Sequence, residues 1–281
     1  MKLNLDTAEI FVPDALSVKQ ALARTTHMGI GAHQDDLEIM AYIGILKCFH
    51  QDGEWFCGIT VTDGSGSPRD DVYKDYTDQA MRLVRCEEQK KAAVVGEYAA
   101  QVLLDYPSKA AKDSSNEAPV GDLRLLLKAA RPRIVYTHNL ADKHDTHVAV
   151  ALKVIEAIRG LPEAERPERL YGGEVWRDFD WMVDADKVAF DCSAHSNLQA
   201  ALLGVFDSQI SGGKRYDLAT MGRRRAHATY HASHGTDVST GTIFAMDLTP
   251  LIYGDKSPQA YVQEYIDRFE QEVAERLARL E

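Results

Sequence analysis

The chain has 281 residues, of which 45% are hydrophobic and 27% charged, and its formal net charge is −11. A chain of this length buries a sufficient core without disulfides or a structural metal, so any bound metal is expected to be catalytic. The acidic balance, broken only by the short basic run Arg223-Arg224-Arg225, excludes a nucleic-acid partner, whose phosphates would be repelled. Cys48, Cys57, Cys86 and Cys192 form no C-x-x-C pair and are expected reduced and partly buried. The first residues lack a basic segment leading into an apolar run, and no stretch is apolar enough to span a bilayer. The expectation is a cytoplasmic protein with no membrane partner.

In chain order, residues 17–24 suit a short helix, and residues 27–32 a strand. Residues 36–50 carry Ile39, Ile43 and Leu46 near helical spacing, up to the stop Gln51-Asp52-Gly53. A strand over 55–62 closes on Asp63-Gly64-Ser65-Gly66-Ser67-Pro68, a loop by composition. A long helix over 73–99 and a short strand over 102–104 follow. Residues 105–120 read as a loop, 122–130 as a helix, 133–137 as a strand and 147–159 as a helix. Strand and helix alternate four times here, which predicts parallel strands with helices on both faces.

Beyond residue 160 the pattern is less regular. Residues 170–176 and 187–190 suit strands and 197–206 a helix. A final charged helix over 259–280 is expected to pack through Tyr261, Tyr265, Phe269, Val273 and Leu277. With no repeat or linker, the expectation is one domain over 1–281. Residues 1–26 form an N-terminal extension and about 170–281 a C-terminal elaboration.

In open parallel sheets, ligands bind beyond the carboxyl ends of the strands. His33, Asp35 and Asp36 follow the first strand, and His138, Asp142, His144, Asp145 and His147 follow the fourth. Helix capping accounts for one Asp. It does not account for two beside a His, with a second cluster elsewhere. Catalytic zinc takes three ligands from His and Asp/Glu and leaves a position open. His33 and Asp36 suit the close pair and His147 the distant third. Asp35, between the pair, suits a base for the water that the metal activates. The Gly29-Ile30-Gly31 turn lacks the third glycine of a dinucleotide site, because Gln34 stands there, and two carboxylates would repel a pyrophosphate.

At these residues the sequence resembles the PIG-L / LmbE-like deacetylase family. Ala32-His33-Gln34-Asp35-Asp36-Leu37-Glu38 matches a variant of its first motif. His144-Asp145-Thr146-His147 corresponds to its His-Pro-Asp-His, after Arg131-Pro132-Arg133-Ile134-Val135-Tyr136. Its Arg-x-x-Glu corresponds to Arg85-Cys86-Glu87-Glu88 and its Ser-Gln pair to Ser208-Gln209. The resemblance covers about residues 27–210. It implies a Rossmann-like α/β three-layer sandwich with a mostly parallel sheet. It implies one Zn2+ per chain, with other divalent metals as alternatives, on His33, Asp36 and His147. Asp35 would be the general base, His144 an oxyanion stabiliser or acid, and Arg85 a contact to an amino-sugar-like small-molecule substrate.

The chain departs from the family at three points. Gln34 replaces Pro. Thr146 replaces the Asp that orients the first His of the second motif, a role open to Asp142 or Asp145. Tyr106-Pro107-Ser108 stands where Pro-Asp-Gly would supply a substrate-contacting carboxylate. The implied reaction is removal of an N-acyl group, with N-acetyl the first expectation. An amidase acting on a non-sugar or glycosyl-thiol amide and a non-enzymatic metal- or nucleotide-binding protein are the alternatives; a homo-oligomer stays open.

Several weaker features remain. Tyr230-His231-Ala232-Ser233-His234 reads as a surface loop. Ser211-Gly212-Gly213-Lys214-Arg215 reads as an ordinary loop, with an anion-binding turn as its functional alternative. Residues 64–71 suit a lid. Trp176, Trp181 and Tyr171 suit core packing or sugar stacking.

Overall fold

Three neighbouring strands are buried along their whole length, as strands covered on both faces must be. They belong to a computed structural model that describes all 281 residues. The chain runs β1 (Glu9–Phe11), α1 (Val18–Ala23), β2 (His27–Gly31), α2 (Asp36–Met40), α3 (Tyr42–Cys48), β3 (Phe56–Thr62), α4 (Asp78–Val95) and β4 (Ala100–Tyr106). It continues through α5 (Ser108–Lys112), α6 (Ala118–Ala130), β5 (Ile134–His138), α7 (Asp145–Arg159), β6 (Arg169–Gly173) and β7 (Val188–Asp191). The last elements are α8 (Ser196–Gly204), α9 (Asp207–Ile210), α10 (Tyr216–Tyr230), β8 (Thr242–Asp247), α11 (Thr249–Tyr253) and α12 (Pro258–Leu280).

The eight strands lie in the order β1-β4-β3-β2-β5-β6-β8-β7. The segment β4-β3-β2-β5-β6 is parallel; β1 joins β4, and β8 joins β6 and β7, in antiparallel pairing. One hydrophobic cluster joins Met28, Ile30 and Val102 to Leu126, Val154 and Ile158. A second joins Phe56 to Leu37, Ile45, Leu202 and Phe206. Helices therefore cover both faces. The sequence of β2, His27-Met28-Gly29-Ile30-Gly31, lets α2 approach closely. A Cβ on Gly29 would stand 2.7 Å from the Phe56 ring and 3.0 Å from a Leu37 methyl.

The topology decides where a site forms. The chain goes outward from β2 through β3 to β4, then returns to place β5 on the other side of β2. The strand order reverses between β2 and β5, and the crevice beyond their carboxyl ends is the expected ligand position.

The structure departs from the sequence expectations in several elements. The helix expected over 36–50 breaks at Ala41 into α2 and α3. The loop expected over 105–120 contains α5. Phe269, Val273 and Leu277 do not pack on the body: they are 36%, 38% and 55% exposed, and only Tyr261 and Tyr265 of α12 are buried. The first 26 residues contribute a strand paired with β4. No helix is long and apolar enough to cross a membrane.

Candidate metal centre

The turn after β2 determines the geometry. Asp35 adopts a left-handed conformation, φ 88°, which Asp tolerates better than most residues. Its N–H donates to Gln89 Oε1 at 3.2 Å. The next residue, Asp36, turns its carboxylate back so that Oδ2 accepts the His33 N–H at 2.7 Å. The two acids therefore have different surroundings. Asp35 stands 3.6 Å from the Arg85 guanidinium, whereas Asp36 is surrounded by histidines.

Three donor atoms converge. His33 Nδ1 lies 3.1 Å from His147 Nε2 and 3.3 Å from Asp36 Oδ2, and His147 Nε2 lies 3.5 Å from Asp36 Oδ2. Ligand atoms on a tetrahedral zinc with bonds of about 2.0–2.1 Å stand roughly 3.3–3.4 Å apart. The spacing thus fits one divalent ion bound by His33, Asp36 and His147. His147 is further fixed from behind, its Nδ1 standing 3.4 Å from Asp142 Oδ2, which leaves Nε2 for a metal.

His138 also approaches Asp36, at 3.3 Å, and stacks on His147 at 3.9 Å. Its Nε2, however, accepts the Ala32 N–H at 2.8 Å and is not free to bind a metal. His138 therefore supports the cluster without joining the donor set.

Charge follows from burial and neighbours. Burial alone would raise the Asp36 carboxyl, but His147 and His138 outweigh it and hold Asp36 well below the usual carboxylate range. Burial pushes Asp35 well above that range; Arg85 opposes the shift and Asp36 adds to it. Burial brings His147 down to about 4, against the pull of Asp36, so its ring is neutral. Burial and the neighbouring His33 also lower His144.

His144 caps α7 and stacks on His147 at 4.5 Å, with Trp176 beyond it at 6.4 Å. Its Nδ1 is buried without a partner. Neither acid near the Thr146 substitution holds the ring. Asp142 accepts the His144 backbone N–H at 3.0 Å, together with the Trp176 N–H, and Asp145 is exposed.

Arg85 is 2% exposed and lines the cleft. Its Nη2 donates to the Gln34 carbonyl at 2.5 Å, and its Nε to Gln34 Oε1 at 3.3 Å. Gln34, standing in place of Pro, thus anchors the arginine. Glu88, one turn on, accepts from the Ser208 N–H and hydroxyl at 2.7 and 2.6 Å, which joins the Arg-x-x-Glu and Ser-Gln pairs. Glu38, the last residue of the first motif, is buried and raised to about 7; it accepts from Gln89 and Tyr98 and so binds α2 to α4.

The cleft over these groups measures about 430 Å3. Residues 64–68 and 108–112 contribute to its walls, with Trp176, Gln209 and Tyr216 from the C-terminal third. Asp105 does not: Arg82 holds its carboxylate, Nε donating at 2.6 Å. Sequence reading gave Lys112 and Tyr216 no role and named Ser108 only as a departure from a family motif, because none carries a recognisable spacing. His231 and His234 lie outside this cleft, His231 against the Phe244 ring at 5.0 Å. Arg224 is buried and donates to the Glu38 and Ile39 carbonyls, so one member of the basic run serves packing.

The fold is an α/β sheet with a cluster of His and Asp donors, spaced as a divalent ion would need them, at its switch point. Residues 28–158, which hold both histidine motifs, match the PIG-L family model, described as GlcNAc-PI de-N-acetylase. No curated protein matches the chain significantly in sequence. Among solved structures, a conserved protein from Thermus thermophilus is 19% identical, with TM-score 0.59, over 83% of this chain and 97% of its own. The N,N′-diacetylchitobiose deacetylase from Pyrococcus horikoshii is 15% identical, with TM-score 0.59, over 83% and 86%. The 4-carboxy-2-hydroxymuconate hydratase from Pseudomonas putida is 15% identical, with TM-score 0.57, over 83% and 99%. At these identities the likeness is one of fold, and the fold hosts more than one reaction.

Proposed function

We propose that this chain is a metal-dependent hydrolase that removes an N-acetyl group from an amino sugar or glycoconjugate. The metal, zinc in the first instance, would be held by His33, Asp36 and His147. The observation that carries this reading is the spacing of those three donors, 3.1–3.5 Å apart, with the carboxyl of Asp35 next in sequence and outside the set. The match of residues 28–158 to a family model described as a de-N-acetylase supports the reaction class, and a deacetylase of the same fold agrees with it.

A divalent ion there would polarise the amide carbonyl and lower the pKa of nearby water. The chain's own groups do the rest. Asp35, whose proton affinity burial raises against the opposing Arg85, takes a proton from the attacking water. Its raised proton affinity suits that task and the return of the proton to the leaving nitrogen. His144, neutral and without a carboxylate behind its ring, serves as a hydrogen-bond donor to the oxygen that gains charge. The test is acetate release from a panel of N-acetylated sugars and amino acids by zinc-loaded protein, with an Asp35 variant as blank. Release from sugars supports the proposal; release from acetylated amino acids alone would replace the sugar substrate with a peptide-like amide.

A further inference from the structure

Two residues that line the cleft each carry a buried donor with no partner within the protein. Arg85 Nη1 and Gln209 Nε2 are buried and unpaired, although their residues are 2% and 3% exposed. A buried N–H without an acceptor is unfavourable, and a ligand that accepts from it recovers that cost. The rim adds charge of the same sense. Lys214 Nζ stands 5.2 Å over the face of Trp176, a cleft residue, and meets no carboxylate. Its neighbour Arg215 is different, since its Nε and Nη2 donate to the Asp217 carboxylate at 3.0 and 2.8 Å. The cleft's own carboxylates are Asp35 and Asp36, both engaged at the metal end.

The turn carrying Lys214 is built tightly. A Cβ on Gly212 would stand 1.9 Å from the Ser208 carbonyl oxygen and 3.4 Å from that of Pro68, and Gly213 has φ 108°. Only glycines allow this approach, which packs the turn against the 64–71 loop. The Lys214 N–H donates to the Gln209 carbonyl at 2.8 Å, so the two residues share one backbone turn. Tyr216 then meets Trp176 edge to face at 6.0 Å. One wall thus holds an unpaired amide donor and two aromatic rings, with a cation free of any carboxylate beside it, in a chain whose net charge is −11.

We propose that this wall is an anion subsite: the substrate carries a carboxylate or phosphate remote from the scissile amide, received by Lys214 Nζ and Gln209 Nε2. The inference rests on the amide-hydrolase reading for the reacting end of the substrate. Lys112, also in the cleft without a carboxylate partner, follows β4, on the far side of β2 from β6 and the Trp176 wall. It provides the control.

The test is calorimetric binding of three probes to the metal-loaded protein at low salt: N-acetylglucosamine, N-acetylglucosamine 6-phosphate and N-acetylmuramic acid. At least one acidic sugar should bind about tenfold more tightly than the neutral one, with the advantage shrinking as salt is added. Lys214→Ala and Gln209→Leu should each reduce that advantage several-fold and leave the neutral sugar's Kd unchanged, while Lys112→Ala should preserve it. The phosphate and carboxylate arms identify the preferred anion. Equal affinities, no binding by any probe, or an advantage that survives Lys214→Ala and disappears in Lys112→Ala would each overturn the assignment. Acetate release, read in parallel, separates the two claims. Lys214-dependent binding without release removes the hydrolase reading and keeps the subsite. Release from neutral and acidic sugars at equal kcat/KM does the reverse.

Discussion

The two sides of the cleft are made differently. On the β2/β5 side, the groups proposed to react follow strand ends, and backbone contacts hold three of them: His33 by its own N–H to Asp36, Asp35 by Gln89, His144 by Asp142. On the side contributed after β6, the wall is assembled from separate elements. Trp176 comes from the segment after β6, Gln209 from α9 and Tyr216 from α10, with Lys214 of a glycine turn beside Trp176. The first side has the preorganisation that bond-making needs; the second has free donors and aromatic faces that suit recognition. Chemistry and selectivity should therefore respond to different substitutions.

The largest effect should come from Asp35→Asn, in which Asn also tolerates the left-handed turn. Turnover should fall by roughly 10²–10⁴-fold with metal content unchanged; an unaltered rate would remove Asp35 from the chemistry. His147→Ala should instead lose the metal itself, as read by elemental analysis. A smaller loss is expected for Asp142→Asn, which weakens the support behind His147 and should lower metal affinity by about 10–100-fold. Unchanged affinity in a competition titration would show that the 3.4 Å contact contributes nothing.

Arg85→Met tests the electrostatics of the same side. Arg85 lowers the proton affinity of Asp35 against its burial, so removing the cation raises it further. The acid limb of the activity profile, where Asp35 must lose its proton, should move to higher pH. A shift to lower pH, or none, would contradict the pairing.

The smallest effect lies behind the recognition wall. Burial raises Glu174 to about 8, and burial with the nearby Arg223 lowers His227 to about 4, so the two side chains, 3.5 Å apart, are neutral together near pH 7. A carboxyl raised on folding contributes stability that is complete below the unfolded value of 4.5 and is lost as pH rises towards 8. Glu174→Gln cannot ionise and should gain on the native chain by about 1–2 kcal/mol, a few degrees in Tm, between pH 6.5 and 8.5. That window lies above the range in which His227 titrates. A constant Tm difference across it would show that Glu174 is not held protonated.

Legibility in the sequence followed the same division. The parallel half was readable because its strands are buried apolar runs and its helices carry apolar stripes, and because a switch point concentrates polar residues after two strands. The later elements lacked those signals. The buried positions of α10 are Thr220, Arg224 and His227, so no apolar stripe marks it as a helix. In β8, five of six residues are buried, so no alternation marks a strand, and β1 has only three residues. At the site, the cluster of His33, Asp36 and His147 could be proposed from spacing. The occupation of His138 by the Ala32 N–H, and the absence of a carboxylate behind His144, depend on distances that no spacing reveals.

The central claim is that one metal on His33, Asp36 and His147, with Asp35 as base, hydrolyses an N-acyl amino sugar. The most direct measurement is zinc titration of the chelator-treated protein, with bound metal and acetate release recorded on the same samples for the native chain and Asp35→Asn. Both proteins should bind one ion per chain, and only the native chain should release acetate, rising to a plateau at one equivalent. Release by the metal-free protein, or full release by Asp35→Asn, would contradict it.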